Sequence, residues 1–174
     1  MTTPLINQTD SQGRKQGYWE EYLPDLKRTM CGEYKDNLRQ GFWQWYREND
    51  TLDKELHYVD DILQGEGREY YWDRKIMSIF TFKDNMLHGP YKKYWWRDEI
   101  TLMKEGHYLD DKRQGLWKDY WNTGALGSEG HYLDDMRHGL WKWYRINGTP
   151  IKSPFYIKEI PHSHSSILAF FNLI

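Results

Sequence analysis

Large apolar residues along this chain come in bursts of two or three aromatics, bounded by charged residues, Gly, Asn or Asp, and the bursts recur at a fixed interval. Counting from Gly17, the register restarts at Gly41, Gly65, Gly89, Gly115 and Gly139, in steps of 24, 24, 24, 26 and 24 residues. Five places after each Gly stands a tyrosine: Tyr22, Tyr46, Tyr70, Tyr94, Tyr120 and Tyr144. Two places after the Gly the column reads Trp19, Trp43, Gly67, Tyr91, Trp117 and Trp141, and a second aromatic column holds Tyr34, Tyr58, Phe82, Tyr108, Tyr132 and Tyr156. A period of this length signals a stacked array.

Each copy divides into two short segments rich in Trp, Tyr and Phe, a composition that favours strands over helices. The connectors inside copies, such as Asn122-Thr123-Gly124 and Asn147-Gly148, and the Asp-Asn or Asp-Asp pairs between copies are turn chemistry, because these residues tolerate the positive φ of tight hairpins. The pattern therefore predicts an all-β fold: an elongated single-layer array of about six antiparallel β-hairpins. About twelve strands at roughly 4.8 Å each give a ribbon on the order of 55 Å long. The repeats occupy residues 17–160, preceded by a polar arm or cap over 1–16 and followed by an apolar tail over 161–174. Positions one, two and five after the Gly are all largely apolar, so both faces are expected to carry aromatic rows. Gly32, Gly106 and Gly130 leave room for a neighbouring ring, whereas Leu56, Phe80 and Pro154 in the same column must pack differently.

Composition narrows the function classes. Aromatics make up 17% of the chain while mean hydropathy is -0.96, so rings are interleaved with charge and a single thick core is not expected. The net charge of -2, from 24 Lys and Arg against 26 Asp and Glu, supplies no domain-wide field for nucleic acid or anionic membrane. The lone Cys31 has no intrachain partner, and no stretch reaches the roughly 20 apolar residues of a membrane span. Without an apolar leader, the chain reads as cytoplasmic, or as part of a virion.

The pattern Gly-x-Trp-x-x-Tyr, Asn-x-Gly, Gly-x-Tyr-x-Asp-Asp/Asn-x-x-x-Gly resembles the MORN-type repeat in its longer, Trp-containing variant. It is similar to repeats in a bacterial antitoxin family and in giant DNA virus proteins. That resemblance implies a single-layer hairpin array acting as a scaffold or recognition module, with any catalysis housed in a separate domain.

Candidate chemistry is sparse. Asp60-Asp61, Asp110-Asp111 and Asp134-Asp135 recur at one repeat position and read as turn residues rather than as a calcium site. His57, His107 and His131 share a column, but neighbouring copies lie two strands apart, roughly 10 Å, too far to share a metal held at about 2 Å. His162 and His164 are a pair without a Cys or carboxylate nearby. No nucleophile stands with a base at recognisable spacing, so catalytic residues, cofactors and metals are all expected to be absent. The six repeated tyrosines read as internal ladder residues. Binding is expected instead from aromatics that break the repeat, Trp45, Tyr71, Trp72, Trp95, Trp96, Trp121 and Trp143, and from Phe170 and Phe171 in the tail. The expected role is a non-catalytic scaffold binding another protein or a larger assembly, with self-association through open edges or the tail. A structural part of a virus particle and a lipid- or carbohydrate-binding module are the alternatives.

Overall fold

The computed structural model describes residues 6–97 and 99–151, together with the backbone of 155–156; the tail over 161–174 lies outside the described residues. The chain forms one antiparallel sheet whose strands pair in chain order, hairpin after hairpin. The first strands of the six copies are Lys15–Leu23, Leu38–Arg47, Gly65–Tyr70, Met86–Trp95, Lys112–Tyr120 and Met136–Tyr144. The return strands of copies one to five are Arg28–Lys35, Leu52–Val59, Ile76–Lys83, Thr101–Leu109 and Leu126–Leu133; copy six returns in two pieces, Pro150–Ile151 and Phe155–Tyr156. The expected hairpin array is present.

The turns between copies explain the acidic pairs. Asp60 and Asp61 sit at φ 50° and 67°, and Asp36-Asn37, Asp84-Asn85, Asp110-Asp111 and Asp134-Asp135 repeat that geometry, the positive-φ pair of a two-residue hairpin. The second residue of each pair also clamps the turn before it. Asp61 N–H donates to the Arg39 carbonyl at 3.1 Å while its Oδ1 accepts from Arg39 N–H at 3.0 Å. Asn37 does the same with Lys15, Asn85 with Leu63, Asp111 with Leu87 and Asp135 with Arg113. These side chains are therefore links between copies as well as turn formers.

At Asp61 and Asp135 burial opposes ionisation, but the N–H groups and guanidinium of Arg39 and Arg113 outweigh it, and both carboxyls are held below the ordinary carboxylate range. A depressed folded pKa contributes stability that is complete above the unfolded value, near 3.9, and is lost as pH falls through the folded value. Thermal midpoints should therefore drop below about pH 4. Asp61→Asn, which keeps the acceptor as Asn37 and Asn85 do, should flatten part of that loss; identical acid profiles for the two proteins would contradict the assignment.

Packing separates the two faces. One face carries an apolar spine, aromatic for most of its length, in which Trp43 and Trp141 are fully buried and Trp117 nearly so. Edge-to-face contacts run Trp19–Tyr34, Tyr34–Trp43, Tyr108–Trp117, Trp117–Tyr132 and Tyr132–Trp141 at 4.8–6.0 Å. The spine closes by a size rule that operates across the junction between copies. The indole of Trp43 lies flat on Gly32, Trp117 on Gly106 and Trp141 on Gly130, so close that a Cβ on these glycines would stand 2.4, 2.2 and 2.3 Å from the ring. Each indole N–H then donates to a backbone carbonyl next to that glycine, Glu33, His107 or His131, at 3.0–3.1 Å. Leu56 is accommodated because the next copy offers Gly67, and Phe80 because it covers Gly67 and faces Tyr91 rather than a tryptophan.

The second face is not an equivalent aromatic ladder. Its tyrosine column is fixed through the hydroxyls: Tyr70 donates to Glu55 at 2.5 Å, Tyr120 to Glu105 at 2.7 Å, Tyr144 to Glu129 at 3.4 Å and Tyr46 to Gln44 at 3.0 Å. Tyr22, in the first copy, is exposed. The first edge of the sheet is covered by the arm. Gln8–Thr9 pairs with Gln16 and Lys15, and the Asn7 amide both accepts from Glu20 N–H at 2.8 Å and donates to Glu20 C=O at 3.0 Å, occupying the edge as a strand would.

Candidate interaction surface

The aromatics that looked irregular in sequence fall into three structural classes. Trp45 is core: it is 8% exposed, packs beside Trp43 and Tyr58 in the main apolar cluster, and carries the Lys54 ammonium 4.8 Å from its ring centroid. Trp143 is half-buried against Trp141 at 5.6 Å, with the Arg137 guanidinium above both rings. Neither stands free as a contact residue.

Tyr71, Trp95 and Trp121 occupy one column, six places after the repeat glycine, on the edge where the strands of each copy are joined. Each reaches across to the next copy and donates to the carbonyl of the repeated tyrosine there: Tyr71 Oη to Tyr94 at 2.7 Å, Trp95 Nε1 to Tyr120 at 3.1 Å and Trp121 Nε1 to Tyr144 at 3.1 Å. Arg47, in the same column, donates to the Tyr70 carbonyl at 2.6 Å. What recurs in this column in copies two to five is a long donor rather than a residue type, which is why it escapes a search for identical residues. These side chains staple the array along one edge, as the Asp and Asn turns do along the other. Trp95→Phe, which removes the donor and keeps an aromatic ring, should cost about 0.5–1.5 kcal/mol. Amide exchange should quicken around copies four and five rather than throughout the sheet; uniform loss of protection would refute a local staple.

The third class is Trp72 and Trp96, one place further along in copies three and four. They are 61% and 50% exposed, their ring centroids are 5.4 Å apart, and Trp96 Nε1 donates to Asp73 at 3.0 Å. Asp73 is held below the ordinary carboxylate range: burial opposes this, but the Trp96 and Lys75 donors outweigh it. Beside them Ile100 is exposed, in the connector lengthened by two residues relative to the other copies, and Arg97 donates to the Asn122 carbonyl. The result is a preordered apolar projection on a braced edge.

Other candidates do not converge. His57, His107 and His131 lie on the return strands of copies two, four and five, and among the described residues no group of three or more His, Cys, Asp or Glu is placed to hold a metal ion. Phe170 and Phe171 lie outside the described residues. No helix of the described residues is long and apolar enough to cross a membrane. A feature the repeat columns concealed is the row one place after the glycine on the second face: Tyr18, Phe42, Leu116 and Leu140 are all exposed. Their apolar character is legible in sequence, but their exposure follows from facing away from the spine.

No family model and no curated protein matches the chain. Among solved structures, a mutant of S. aureus TarM in complex with Fondaparinux, alpha-GlcNAc-glycerol and UDP is similar at 14% identity and a TM-score of 0.38, over 56% of this chain and 19% of that one. The similarity thus spans about a fifth of that chain, and at this TM-score it bears on neither fold nor function.

Proposed function

We propose that this chain is a MORN-type repeat scaffold, non-catalytic, that presents a rigid edge for binding another protein. The observation that carries the reading is the tilted Trp72–Trp96 pair, in ring contact and 61% and 50% exposed, on an edge where Tyr71, Trp95 and Trp121 are tied to the next copy as staples, Trp121 keeping 41% of its surface exposed. Large, ordered rings at low entropic cost are what binding sites use as anchors, and here the array has already ordered them. Support also comes from the repeat columns: Gly, Trp, Tyr and Asp are committed to stacking, which leaves chemistry to whatever partner the scaffold holds. The test compares partner recovery by the native chain, the Trp72→Ala/Trp96→Ala double variant and Trp95→Phe. Loss with the first variant and retention with the second is expected. Equal recovery by all three would overturn the assignment, and binding to liposomes or glycans abolished by the same double variant would replace protein with one of those ligands.

A further inference from the structure

On the spine face, three positions of each copy meet at the turn that follows it: the residue two places before the repeat glycine, the ring of the second aromatic column and the second residue of the turn. In copy two the Arg39 guanidinium lies 4.0 Å from the Tyr58 ring centroid and its Nε–H donates to Asp61 at 2.6 Å. In copy five Arg113 lies 4.0 Å from the Tyr132 centroid and donates to Asp135 at 2.8 Å. Where the first position is not arginine, the turn residue is neutral. Copy one sets Lys15, which lies 4.7 Å from the Tyr34 ring and pairs with Glu21, beside Asn37, and copy three combines Leu63, Phe82 and Asn85. Among copies one to five only copy four breaks this matching: it keeps Tyr108 and the carboxylate of Asp111 but has Leu87 in the place of the arginine.

The setting in copy four is otherwise the same. Tyr108 is held edge-on between Tyr91 and Trp117, at 5.4 and 5.2 Å, in the way that Tyr132 is held between Trp117 and Trp141, at 6.0 and 5.0 Å. Asp111 has φ 66°, against 67° at Asp61 and Asp135, and accepts from Leu87 N–H at 2.7 Å as Asp61 accepts from Arg39 N–H. Asp111 is exposed, and among the described residues it has no ion pair within 4 Å and no cation lies over the Tyr108 ring. The charges around it are otherwise engaged or averted: Asp110 holds His88 at 3.0 Å, Arg113 is committed to Asp135 and Tyr132, and Lys112, next to Arg113 in the same strand, leaves on the opposite face. Leu87 ends at Cδ, before the Nε and Cζ atoms that make these contacts in Arg39 and Arg113. Beside it Leu63, Phe82 and Tyr91 are half-buried against the main apolar cluster.

We infer that copy four receives an arginine side chain of a partner protein, whose guanidinium lies on the Tyr108 ring and donates to Asp111 while the partner's adjoining apolar residue rests on Leu63 and Leu87. Charge and shape both select this occupant: a carboxylate beside a ring face suits a planar cation that stacks and hydrogen-bonds at once, which a lysine ammonium does not do. The chain itself fills the same arrangement with arginine in copies two and five. The site follows the turns between copies, at the edge opposite Trp72 and Trp96, so it is a second contact point and stands or falls separately from that pair.

Titration of the full chain with acetyl-arginyl-leucine amide, followed by nuclear magnetic resonance, tests this. The native chain should show saturable shifts of the Tyr108 ring and of the Leu87 and Asp111 amides. Asp111→Asn, which keeps the acceptor for Leu87 N–H as Asn85 does for Leu63, should weaken binding at least about fivefold. Leu87→Arg, which supplies the guanidinium from within the chain, should abolish it, and Asp61→Asn, at the corresponding turn of copy two, should leave it unchanged. The Asp111→Asn variant serves as the readout should Leu87→Arg fail to fold. No saturable shift in the native chain, full binding by Asp111→Asn, or equal shifts with acetyl-lysyl-leucine amide or the uncharged citrulline analogue would each overturn the inference.

Discussion

Trp43→Ala should be the most damaging single truncation in the array, costing about 3–5 kcal/mol. Trp43 is fully buried, although the sheet has only one layer, because residues of copies one and two close around it. Gly32 of copy one lies beneath its ring, Tyr34 meets it at 4.8 Å, Trp45 at 6.4 Å, and Leu56 stands opposite on the return strand. Further along the same cluster are Tyr58 and Phe80, the latter in copy three. Removing the indole leaves a cavity that rigid strands cannot close, and it leaves the Glu33 carbonyl without its donor at 3.1 Å. Repeat arrays lose neighbouring units together, so hydrogen exchange should show copies one to three losing protection before copies five and six. A shift of less than about 1 kcal/mol in denaturant unfolding would mean that Trp43 is not the keystone this packing implies.

Gly106→Ala is the second large effect, and it arises from a single added methyl. The new carbon would stand 2.2 Å from Trp117 Cδ2, and the ring has nowhere to retreat because it is buried and its Nε1 is bonded to the His107 carbonyl at 3.1 Å. Overpacking of this kind costs about 1–3 kcal/mol, and breaking the indole bond adds roughly 1 kcal/mol. Gly139→Ala supplies the contrast. Nothing lies within 4 Å of its Cβ position, so its cost is only that of φ +72°, about 1 kcal/mol. The junction between copies three and four, where Phe80 faces Tyr91, shows which combination tolerates bulk in the glycine column. Trp117→Tyr should therefore recover part of the loss in a Gly106→Ala background. A double-mutant cycle measures this as a coupling of at least 0.5 kcal/mol, and strict additivity would show that the two residues do not share the space.

The difference between these two glycines explains what a column-by-column reading shows and what it misses. Gly106 and Gly139 are both repeat glycines, yet one is needed for space and the other for backbone conformation. Aligning copies puts Gly32, Leu56, Phe80, Gly106 and Gly130 in one column, where Leu56 and Phe80 look like exceptions. Each becomes regular when it is set beside the residue it touches, which belongs to the following copy: Trp43, Gly67, Tyr91, Trp117 and Trp141. In the same way, Arg47, Tyr71, Trp95 and Trp121 look like unrelated choices until their donors are seen to end on the same backbone carbonyl of the next copy.

The period, the strand content, the hairpin turns and the single-layer array were all set by local chemistry that can be read along the chain. Aromatic segments prefer strands, Asp, Asn and Gly accept positive φ, and a period of 24 residues gives two strands per copy. Tertiary structure alone decided which tryptophans are core, which are staples and which stand most exposed. That choice depends on contacts across junctions between copies and on which face a side chain leaves the sheet, and a shift of one residue reverses the latter. Trp45, Trp95 and Trp96 are equivalent as letters; burial against Leu56 and Tyr58, a bond to Tyr120, and exposure beside Trp72 are what separate them.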